Sequence, residues 1–296
     1  MSDLAVLTSA NSFLQWRESL AELPVVFVPT MGALHAGHSA LIDSAHKYLK
    51  THHDGHGRVV VSIFVNPTQF TQQADLANYP KTMDSDLALC ALHQVNVVFA
   101  PSVADIYPEG LENVSFLEPG PNANELEGQD RPGHFAGVVT VVARLLDFVK
   151  PTAAFFGEKD YQQLVVIKEL VEPRTDDIEI VAVPTVRDID GLALSSRNQR
   201  LSIIGRAMAK QIPAAMALAE HALVEGASIS QTKQAVQQYL ELQAGIEFEY
   251  FEIRDENFEE ISKPGPARLF IAATVNNVRL IDNVLVEIRD ENVTSN

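Results

Sequence analysis

The sequence has one cysteine, no long apolar run and few basic residues. Because Cys90 is the only cysteine among 296 residues, the chain cannot form an intrachain disulfide. No apolar run approaches the length needed to cross a bilayer, and the first residues lack the basic and then apolar pattern of a secretory signal. These absences predict a soluble cytoplasmic protein that does not bind membranes.

Basic residues are outnumbered by acidic ones. The chain has 22 Lys and Arg against 39 Asp and Glu, for a formal net charge of -17. This balance opposes nonspecific attraction to nucleic acid or to anionic lipid. We therefore predict that nucleic acid is not a partner, and that any anionic substrate is held by a local site.

Two phosphate-binding motifs are also missing. No G-x-G-x-x-G follows the first predicted strand, which disfavours a Rossmann dehydrogenase, and no G-x-x-x-x-G-K-[ST] loop occurs. What is present is an ordinary globular composition, 46% hydrophobic and 21% charged. A chain of this length favours one large domain and a smaller one.

The apolar pattern alternates between short strands and helices up to residue 184. Apolar runs predict strands at 25–28, 58–65, 95–100, 153–156 and 178–183, with helices between most of them. This order predicts an α/β fold with a Rossmann-like, doubly wound parallel sheet over 1–184. Beyond it, helices at 203–225 and 230–244 and strands at 247–254, 267–275 and 277–288 predict a smaller C-terminal α+β domain over 185–296. Cys90, on an apolar helix, is predicted to be a buried core thiol.

Polar and glycine residues follow the first long strand at the start of a helix. Gly32 and Gly37 permit tight turns, and His35 and His38 are three residues apart. A helix amino terminus at the end of a parallel strand is a common phosphate site, so we predict that both imidazoles bind a triphosphate. Two alternatives remain open, a metal pair and ordinary polar residues at a helix start.

Similar polar sets follow two other predicted strands. Asn66 and Gln69 come after the second strand and carry donors and acceptors suited to a small hydroxylated acid, although a capped turn is the alternative. Lys159 follows the fourth strand at a glycine turn, where its ammonium can bind phosphate, and Gln163 lies about one helical turn later.

Two irregular segments supply further cations. The long stretch 101–136 ends with Arg131 and His134, which are candidate anion contacts or simply an exposed rim. The segment 191–198 holds Arg197 next to two serines, a set suited to binding phosphate.

Five ordered blocks together resemble the pantothenate synthetase (pantoate–β-alanine ligase) family. This family lies in the nucleotidyltransferase superfamily, which shares a His-x-Gly-His signature with class I aminoacyl-tRNA synthetases. The matching blocks span nearly the whole chain and are residues 29–38, 64–70, 131–135, 157–163 and 194–198. Leu194 stands where some members have Met, and Ala36 fills a variable position.

The resemblance implies an ATP-dependent condensation of (R)-pantoate with β-alanine. Pantoate and ATP, with Mg²⁺, would give pantoyl adenylate and pyrophosphate, and the β-alanine amine would then displace AMP. By matching position, Gln69 and Gln163 would bind pantoate, Gln69 also β-alanine, and His38 would be the proton donor. The family precedent is a homodimer through the N-terminal domain. The resemblance assigns the ATP site to Met31, Gly32, Ala33, Leu34, His35, Ala36, Gly37, His38, Gly157, Glu158, Lys159, Asp160, Val186, Leu194, Ser195, Ser196 and Arg197.

Elementary chemistry agrees with these roles. Attack of a carboxylate on the α-phosphorus needs no protein nucleophile, so catalysis should come from positioning and from donors on the triphosphate. We expect His35, His38, Lys159 and Arg197 to supply these donors.

Three alternative functions remain open. The first is a nucleotidyltransferase with a phosphorylated acceptor, and the second is a fragment of a tRNA synthetase, which the acidic balance disfavours. The third is a nucleotide-sensing module without turnover.

Overall fold

A computed structural model describes residues 4–71, 73–174, 177–256 and 258–293. The chain divides into two compact units, Met1–Pro184 and Thr185–Asn296. Within the described residues, no helix is long and apolar enough to span a membrane.

The first unit alternates strands and helices. Its regular elements are β1 (Ala5–Leu7), α1 (Ala10–Ser19), β2 (Val25–Thr30), α2 (Ala36–His52), β3 (Arg58–Ile63), α3 (Gln73–Ala77), α4 (Met83–Leu92), β4 (Val97–Phe99), α5 (Val103–Ile106), α6 (Glu127–Asp130), α7 (His134–Val149), β5 (Ala153–Gly157), α8 (Tyr161–Val171) and β6 (Glu179–Val183).

The six strands form one parallel sheet in the order β1-β4-β3-β2-β5-β6. Both faces are covered, as their apolar sequences predict. On β2, Val25 and Phe27 belong to one core cluster with residues of α7, whereas Val26 and Val28 belong to a second with residues of α2. The alternation follows from the two-residue period of a strand. The predicted doubly wound parallel sheet is confirmed.

The second unit contains helices and an antiparallel sheet. Its elements are α9 (Ile203–Met208), α10 (Gln211–Val224), α11 (Ile229–Glu241), β7 (Ile246–Asp255), β8 (Gly265–Val275), β9 (Val278–Ile288) and α12 (Asp290–Val293). The sheet order is β7-β8-β9. Asn276 and Asn277 connect β8 to β9 with φ of 50° and 65°. Asparagine tolerates this left-handed backbone, which suits a two-residue hairpin. The smaller α+β unit is therefore also confirmed.

The structure differs from the sequence predictions at several elements, and three of these differences have a clear physical reason. Strand β1 was not predicted, because three residues carry too little pattern to detect. The helix predicted at 203–225 is two helices, since Pro213 lacks the N–H that would bond to the carbonyl of Ala209 and its ring crowds that carbonyl. Helix α7 begins at His134, inside the stretch 101–136 that was predicted to be irregular, and it follows Gly133, whose φ is 81°.

Cys90 is fully buried, as predicted. Burial, with Asp86 nearby, raises the pKa of its thiol to about 12. A thiol that stays protonated is a poor nucleophile, so Cys90 is a packing residue.

Candidate active site

The sheet order brings three of the predicted segments to one edge. Strand β2 lies between β3 and β5, and the chain runs outward from β2 in both directions. The carboxyl ends of these three neighbouring strands lead into residues 31–38, 64–70 and 157–163. Such a reversal of strand order opens a crevice, the usual ligand position in open α/β sheets. The candidate site therefore forms where the strand ends meet.

A two-residue left-handed turn begins the segment after β2. Gly32 and Ala33 have φ of 80° and 51°, and His35 is the residue that caps the amino terminus of α2. His35 Nδ1 accepts a hydrogen bond from the Gly37 backbone N–H (3.1 Å), and His38 Nδ1 accepts one from the His35 backbone N–H (3.2 Å). The reciprocal cap fixes both rings.

The cap also fixes the tautomers of both histidines. Since each Nδ1 accepts a backbone hydrogen bond, the proton of each neutral ring lies on Nε2. The ring centroids of His35 and His38 are 4.2 Å apart. The pair therefore offers two neighbouring N–H donors, an arrangement suited to phosphate oxygens.

Burial keeps these rings neutral in the free protein. Burial, with the Lys159 ammonium nearby, lowers the pKa of His35 to about 4. Burial, with His35 nearby, lowers the pKa of His38 to about 3. An approaching triphosphate would oppose both shifts, because negative charge favours the imidazolium.

Lys159 lies near the histidines, after β5. Its side chain is 17% exposed, and its Nζ forms an ion pair with Asp160 at 3.0 Å. The ammonium acts electrostatically on His35, and the Asp160 carboxylate acts on both histidines. The histidines follow β2, and Lys159 and Asp160 follow β5, which is paired with β2 in the sheet. Glu158 and Gly157 belong to the same turn.

Asn66 and Gln69 lie after β3 and contact each other. Gln69 is 8% exposed, and its Nε2 lies 2.9 Å from the Met31 sulfur. Asn66 is 0% exposed: its amide donates to Gln69 Oε1 and to the Gly137 carbonyl, both at 3.2 Å. Its Oδ1 accepts from the Tyr107 hydroxyl at 2.8 Å. Asn66 therefore supports the Gln69 side chain.

The first residue of α7, His134, contacts the Gln69 backbone. His134 is buried, and its ring Nδ1 lies 2.8 Å from the Gln69 carbonyl, to which it donates. Burial, with Arg131 nearby, lowers the pKa of His134 to about 4, so the ring is neutral. Arg131 pairs with Glu127 at 3.6 Å. Because its ring donates to the Gln69 carbonyl, we interpret His134 as a residue that holds the backbone of Gln69 in place.

Two supporting residues escaped prediction from sequence. Gln162 donates to the carbonyls of Asn122 and Glu125 (2.8 and 2.7 Å) and accepts from the Glu127 N–H (3.0 Å). It therefore anchors the long segment before α7, while its partly exposed neighbour Gln163 is the predicted pantoate ligand. The second residue, Asp86, accepts hydrogen bonds from the turn after β2.

A sequence signal existed for Asp86. It lies four residues before buried Cys90 on α4, so the helical period places it on the inward face. An acid on such a face needs donors, and it could have been separated from exposed Asp84 on that ground. No comparable signal distinguishes Gln162 from Gln163.

The remaining predicted ATP residues lie together in the second unit. Val186 and Leu194 are paired, with the Leu194 N–H donating to the Val186 carbonyl at 3.0 Å. Ser195 caps the short helical turn Ser196–Arg200, and its hydroxyl accepts from the Arg197 N–H at 3.3 Å. The chain from Val186 to Leu194, whose ends are joined by this hydrogen bond, therefore leads directly into the Ser195-Ser196-Arg197 turn.

No group of three or more His, Cys, Asp or Glu side chains in the described ranges could hold a metal ion by itself.

Sequence comparison places the chain in a known family. The profile of the pantoate-beta-alanine ligase family matches residues 5–285, which is most of the chain. The chain belongs to the pantoate–β-alanine ligase family. It is 47% identical to a pantothenate synthetase of Mycobacterium sp. (strain KMS) over 264 residues, 89% of this chain and 81% of the relative. It is 44% identical to that of Nocardia farcinica, over 88% and 79% of the two chains.

Solved structures of the pantoate–β-alanine ligase family have the same fold. The pantothenate synthetase of Thermus thermophilus superposes with a TM-score of 0.85 at 39% identity, covering 95% of this chain and 98% of that one. A pantoate-beta-alanine ligase from Francisella tularensis, complexed with beta-gamma ATP and beta-alanine, gives 0.80 at 36% identity, covering 96% and 98%.

Replacing Gly37 should disturb this ligase through His35. A Cβ at Gly37 would lie 2.9 Å from His35 Cε1 and 3.0 Å from Nδ1, so Gly37→Ala should displace the ring. We expect pyrophosphate release to slow about tenfold or more, since small misplacements are costly in catalysis. The melting temperature should change little, because the helix preference of Ala over Gly, about 1 kcal/mol, offsets a weakened cap. Ser39→Ala, in the same turn, is the control. Unchanged turnover in Gly37→Ala would contradict the steric argument.

Three histidines of the free ligase should stay neutral in mild acid. With pKa values lowered to about 4 for His35 and His134 and about 3 for His38, these rings should take up almost no proton between about pH 8 and 5.5. Proton NMR of the ring C2 positions, assigned with single His→Gln variants, measures this directly. A midpoint near the ordinary value of about 6.5 for any of the three would disprove the burial argument for that ring.

Proposed function

We propose that this chain catalyses the ATP-dependent condensation of (R)-pantoate with β-alanine through an enzyme-bound pantoyl adenylate. The first step forms a bond between a pantoate carboxylate oxygen and the α-phosphorus of ATP, and pyrophosphate leaves. The β-alanine amine then attacks the acyl carbon, AMP leaves, and pantothenate is released. Membership of the pantoate–β-alanine ligase family supports this reaction.

The meeting of His35, His38 and Lys159 at the crevice beside β2 carries this proposal. Pyrophosphate departure builds negative charge on the β-phosphate, so fixed donors there lower the barrier. The two Nε2–H groups supply directional hydrogen bonds, and the partly buried ammonium supplies charge. As no side chain must act as a nucleophile, the protein contributes orientation and electrostatics.

Pantoate would bind beside these donors. Gln69 and Gln163 can each offer an amide N–H₂ donor and a carbonyl acceptor, which match a carboxylate and two hydroxyls. Asn66 is buried and bonded to Gln69 Oε1, so we assign it to orienting Gln69 instead of direct substrate contact. The same Gln69 would later meet β-alanine.

We assign Mg²⁺ to the triphosphate. This ion prefers oxygen ligands and is commonly held by substrate phosphates with one or two carboxylates. Asp160 fits that description, since its side chain is 49% exposed and lies next to Lys159. Mg²⁺ would neutralise phosphate charge, while the protein residues set the orientation of the chain of phosphates.

The family resemblance also assigns nucleotide-binding roles to residues of the second unit. Val186 and Leu194 would contact the nucleoside, and the Ser195-Ser196-Arg197 turn would bind phosphate. A guanidinium next to two hydroxyls suits that ligand. We propose that the first unit binds nucleotide and pantoate and that these residues of the second unit are further ATP ligands.

A substrate-omission assay tests the reaction. Purified protein is incubated with ATP, Mg²⁺, pantoate and β-alanine, and products are identified by mass spectrometry. We expect pantothenate with AMP in the full mixture, and pyrophosphate but no pantothenate when β-alanine is left out. A nucleotide sensor would bind ATP and release no pyrophosphate, and a different nucleotidyltransferase would leave pantoate unused.

We also propose that the protein is a cytoplasmic homodimer, as the family resemblance implies. Light scattering coupled to size-exclusion chromatography would give about twice the 32.5 kDa chain mass. A mass of one chain at micromolar concentration would refute the dimer without affecting the proposed reaction.

A further inference from the structure

Asp86 is a buried carboxylate bound to the turn after β2. It is 2% exposed, although it lies in the first turn of α4, where acidic residues are usually solvated. Its Oδ2 accepts from the Ala33 N–H at 3.0 Å and its Oδ1 from the Leu34 N–H at 2.8 Å. The Thr82 hydroxyl also donates to Oδ1, at 3.1 Å. One carboxylate thus joins two segments that are 52 to 53 residues apart.

The turn that Asp86 holds is strained. Ala33 has φ of 51°, a conformation that residues other than glycine rarely adopt, and Gly32 before it has φ of 80°. A Cβ on Gly32 would stand 3.0 Å from Asp86 Oδ2, a tight contact, so space as well as backbone conformation favours glycine there. Consecutive N–H groups in such a turn form an anion-binding concavity. Here a protein carboxylate fills it.

Two consequences follow for the nucleotide. The Ala33 and Leu34 N–H groups already bind Asp86, so phosphate oxygens must find other donors. His35 comes directly after Leu34, and its backbone N–H bonds to His38. Any shift of the turn would therefore move both imidazoles together.

We propose that Asp86 is a positioning residue for adenylate formation, which holds residues 32–34 in the conformation that aims His35 and His38. This inference rests on the proposed function. Asp86 acts through the backbone of the turn and does not itself contact substrate. Two opposing effects decide whether replacing Asp86 raises or lowers the rate of adenylate formation. Loss of a negative charge behind the turn would favour ATP, whereas loss of a hydrogen bond would misplace the rings. We expect misplacement to dominate, because both hydrogen bonds end on a carboxylate that is 2% exposed.

The test compares Asp86→Asn with Asp84→Asn. Both variants remove one acidic charge from the first turn of α4, but Asp84 is exposed. An asparagine at 86 keeps one acceptor and turns an N–H₂ group toward a backbone N–H. We expect kcat/KM for ATP in pyrophosphate release to fall about tenfold or more in Asp86→Asn and to stay within about twofold in Asp84→Asn. The step from supplied pantoyl adenylate and β-alanine should change less than the first step.

Hydrogen exchange in the free protein gives a readout that does not depend on activity. Peptides covering residues 31–35 should exchange faster in Asp86→Asn, while those of β2 and β3 keep their rates. Thr82→Val removes one donor to Oδ1 and leaves the carboxylate, so it should shift both measurements in the same direction, by less. If Asp86→Asn fails to fold, Thr82→Val takes its place in both measurements.

Three results would overturn the proposal: unchanged adenylation in Asp86→Asn, an equal loss with Asp84→Asn, or faster exchange spread over the whole first unit with a uniform loss in both steps. If wild-type protein released no pyrophosphate at all, the proposed function would fail. The exchange rates of residues 31–35 would still decide whether Asp86 holds the turn.

Discussion

Lys159→Ala should lower the rate of adenylate formation by about 100-fold or more, the effect of losing one transition-state donor. The ammonium lies beside His35 with 17% of its side chain exposed, and Lys159 is the only basic residue in the segment 157–163. Because the triphosphate is negative before and after reaction, part of the loss should appear in the KM for ATP. Single-turnover release of pyrophosphate, from ATP and pantoate without β-alanine, measures the step.

The matched control is Lys168→Ala. Lys168 lies exposed in the last turn of α8, whereas Lys159 lies just before the start of that helix. Equal charge loss at the two positions should give unequal rates if the position of the ammonium matters. Near-normal pyrophosphate release in Lys159→Ala would remove Lys159 from the proposed site.

At His38, the role of the outward Nε2–H donor can be tested separately from the capping role of Nδ1. The side-chain oxygen of an asparagine can occupy roughly the place of Nδ1, so His38→Asn should preserve the bond from the His35 N–H while removing the Nε2–H donor. We expect a stable protein with adenylation reduced to the same degree as in Lys159→Ala. Normal activity in His38→Asn would show that the outward donor is dispensable.

The sequence predicted where the chemistry-bearing residues lie along the chain, but not which of them are neighbours. His35 and Lys159 could each be placed after a strand, from the apolar runs before them. Their proximity depends on β5 pairing with β2, and that pairing joins strands that are far apart in the sequence, with Val26 opposite Ala153. Parallel partners leave no local pattern, since each buried strand reads as the same kind of apolar run.

Asn66 and Asp86 illustrate a second limit. Asn66 was predicted to be a substrate ligand, with a capped turn as the alternative, and Asp86 was not distinguished from Asp84 as a site residue. Each is buried, with the hydrogen bonds described above directed to the protein. Whether a polar residue at a strand end faces the ligand or the backbone depends on distant donors, such as the Tyr107 hydroxyl. Residue type and spacing do not encode those donors.

The boundary between the units is easier to interpret. The sequence pattern changes after Pro184, where alternation of strands and helices ends, and the structure divides the chain at the same place. The roles of the units stay predictions. Arg197 and the residues paired with it belong to the second unit, so their part in binding ATP must be tested by replacement in solution.

The stability of the second unit should depend on the ion pair between Arg187 and Asp282, which can be broken by replacing Arg187 alone. Arg187 donates to both oxygens of Asp282, at 2.6 and 2.9 Å, and to the carbonyls of Gly191 and Asn283. The Asp282 side chain is only 1% exposed. Arg187→Met should therefore lower the free energy of unfolding by about 3–5 kcal/mol, since it leaves a buried carboxylate without its partner.

Two further variants locate the cause of that loss. Arg187→Met combined with Asp282→Asn should be more stable than Arg187→Met alone, because no buried charge remains. Arg289→Met breaks an exposed pair with Glu291, each side chain 54% exposed, and should cost less than about 1 kcal/mol. Trp16 is the only tryptophan and lies in the first unit, so its fluorescence does not report on this region. Hydrogen exchange of β8 and β9 in urea does, and a transition unchanged by Arg187→Met would show that Asp282 is held by its backbone neighbours instead.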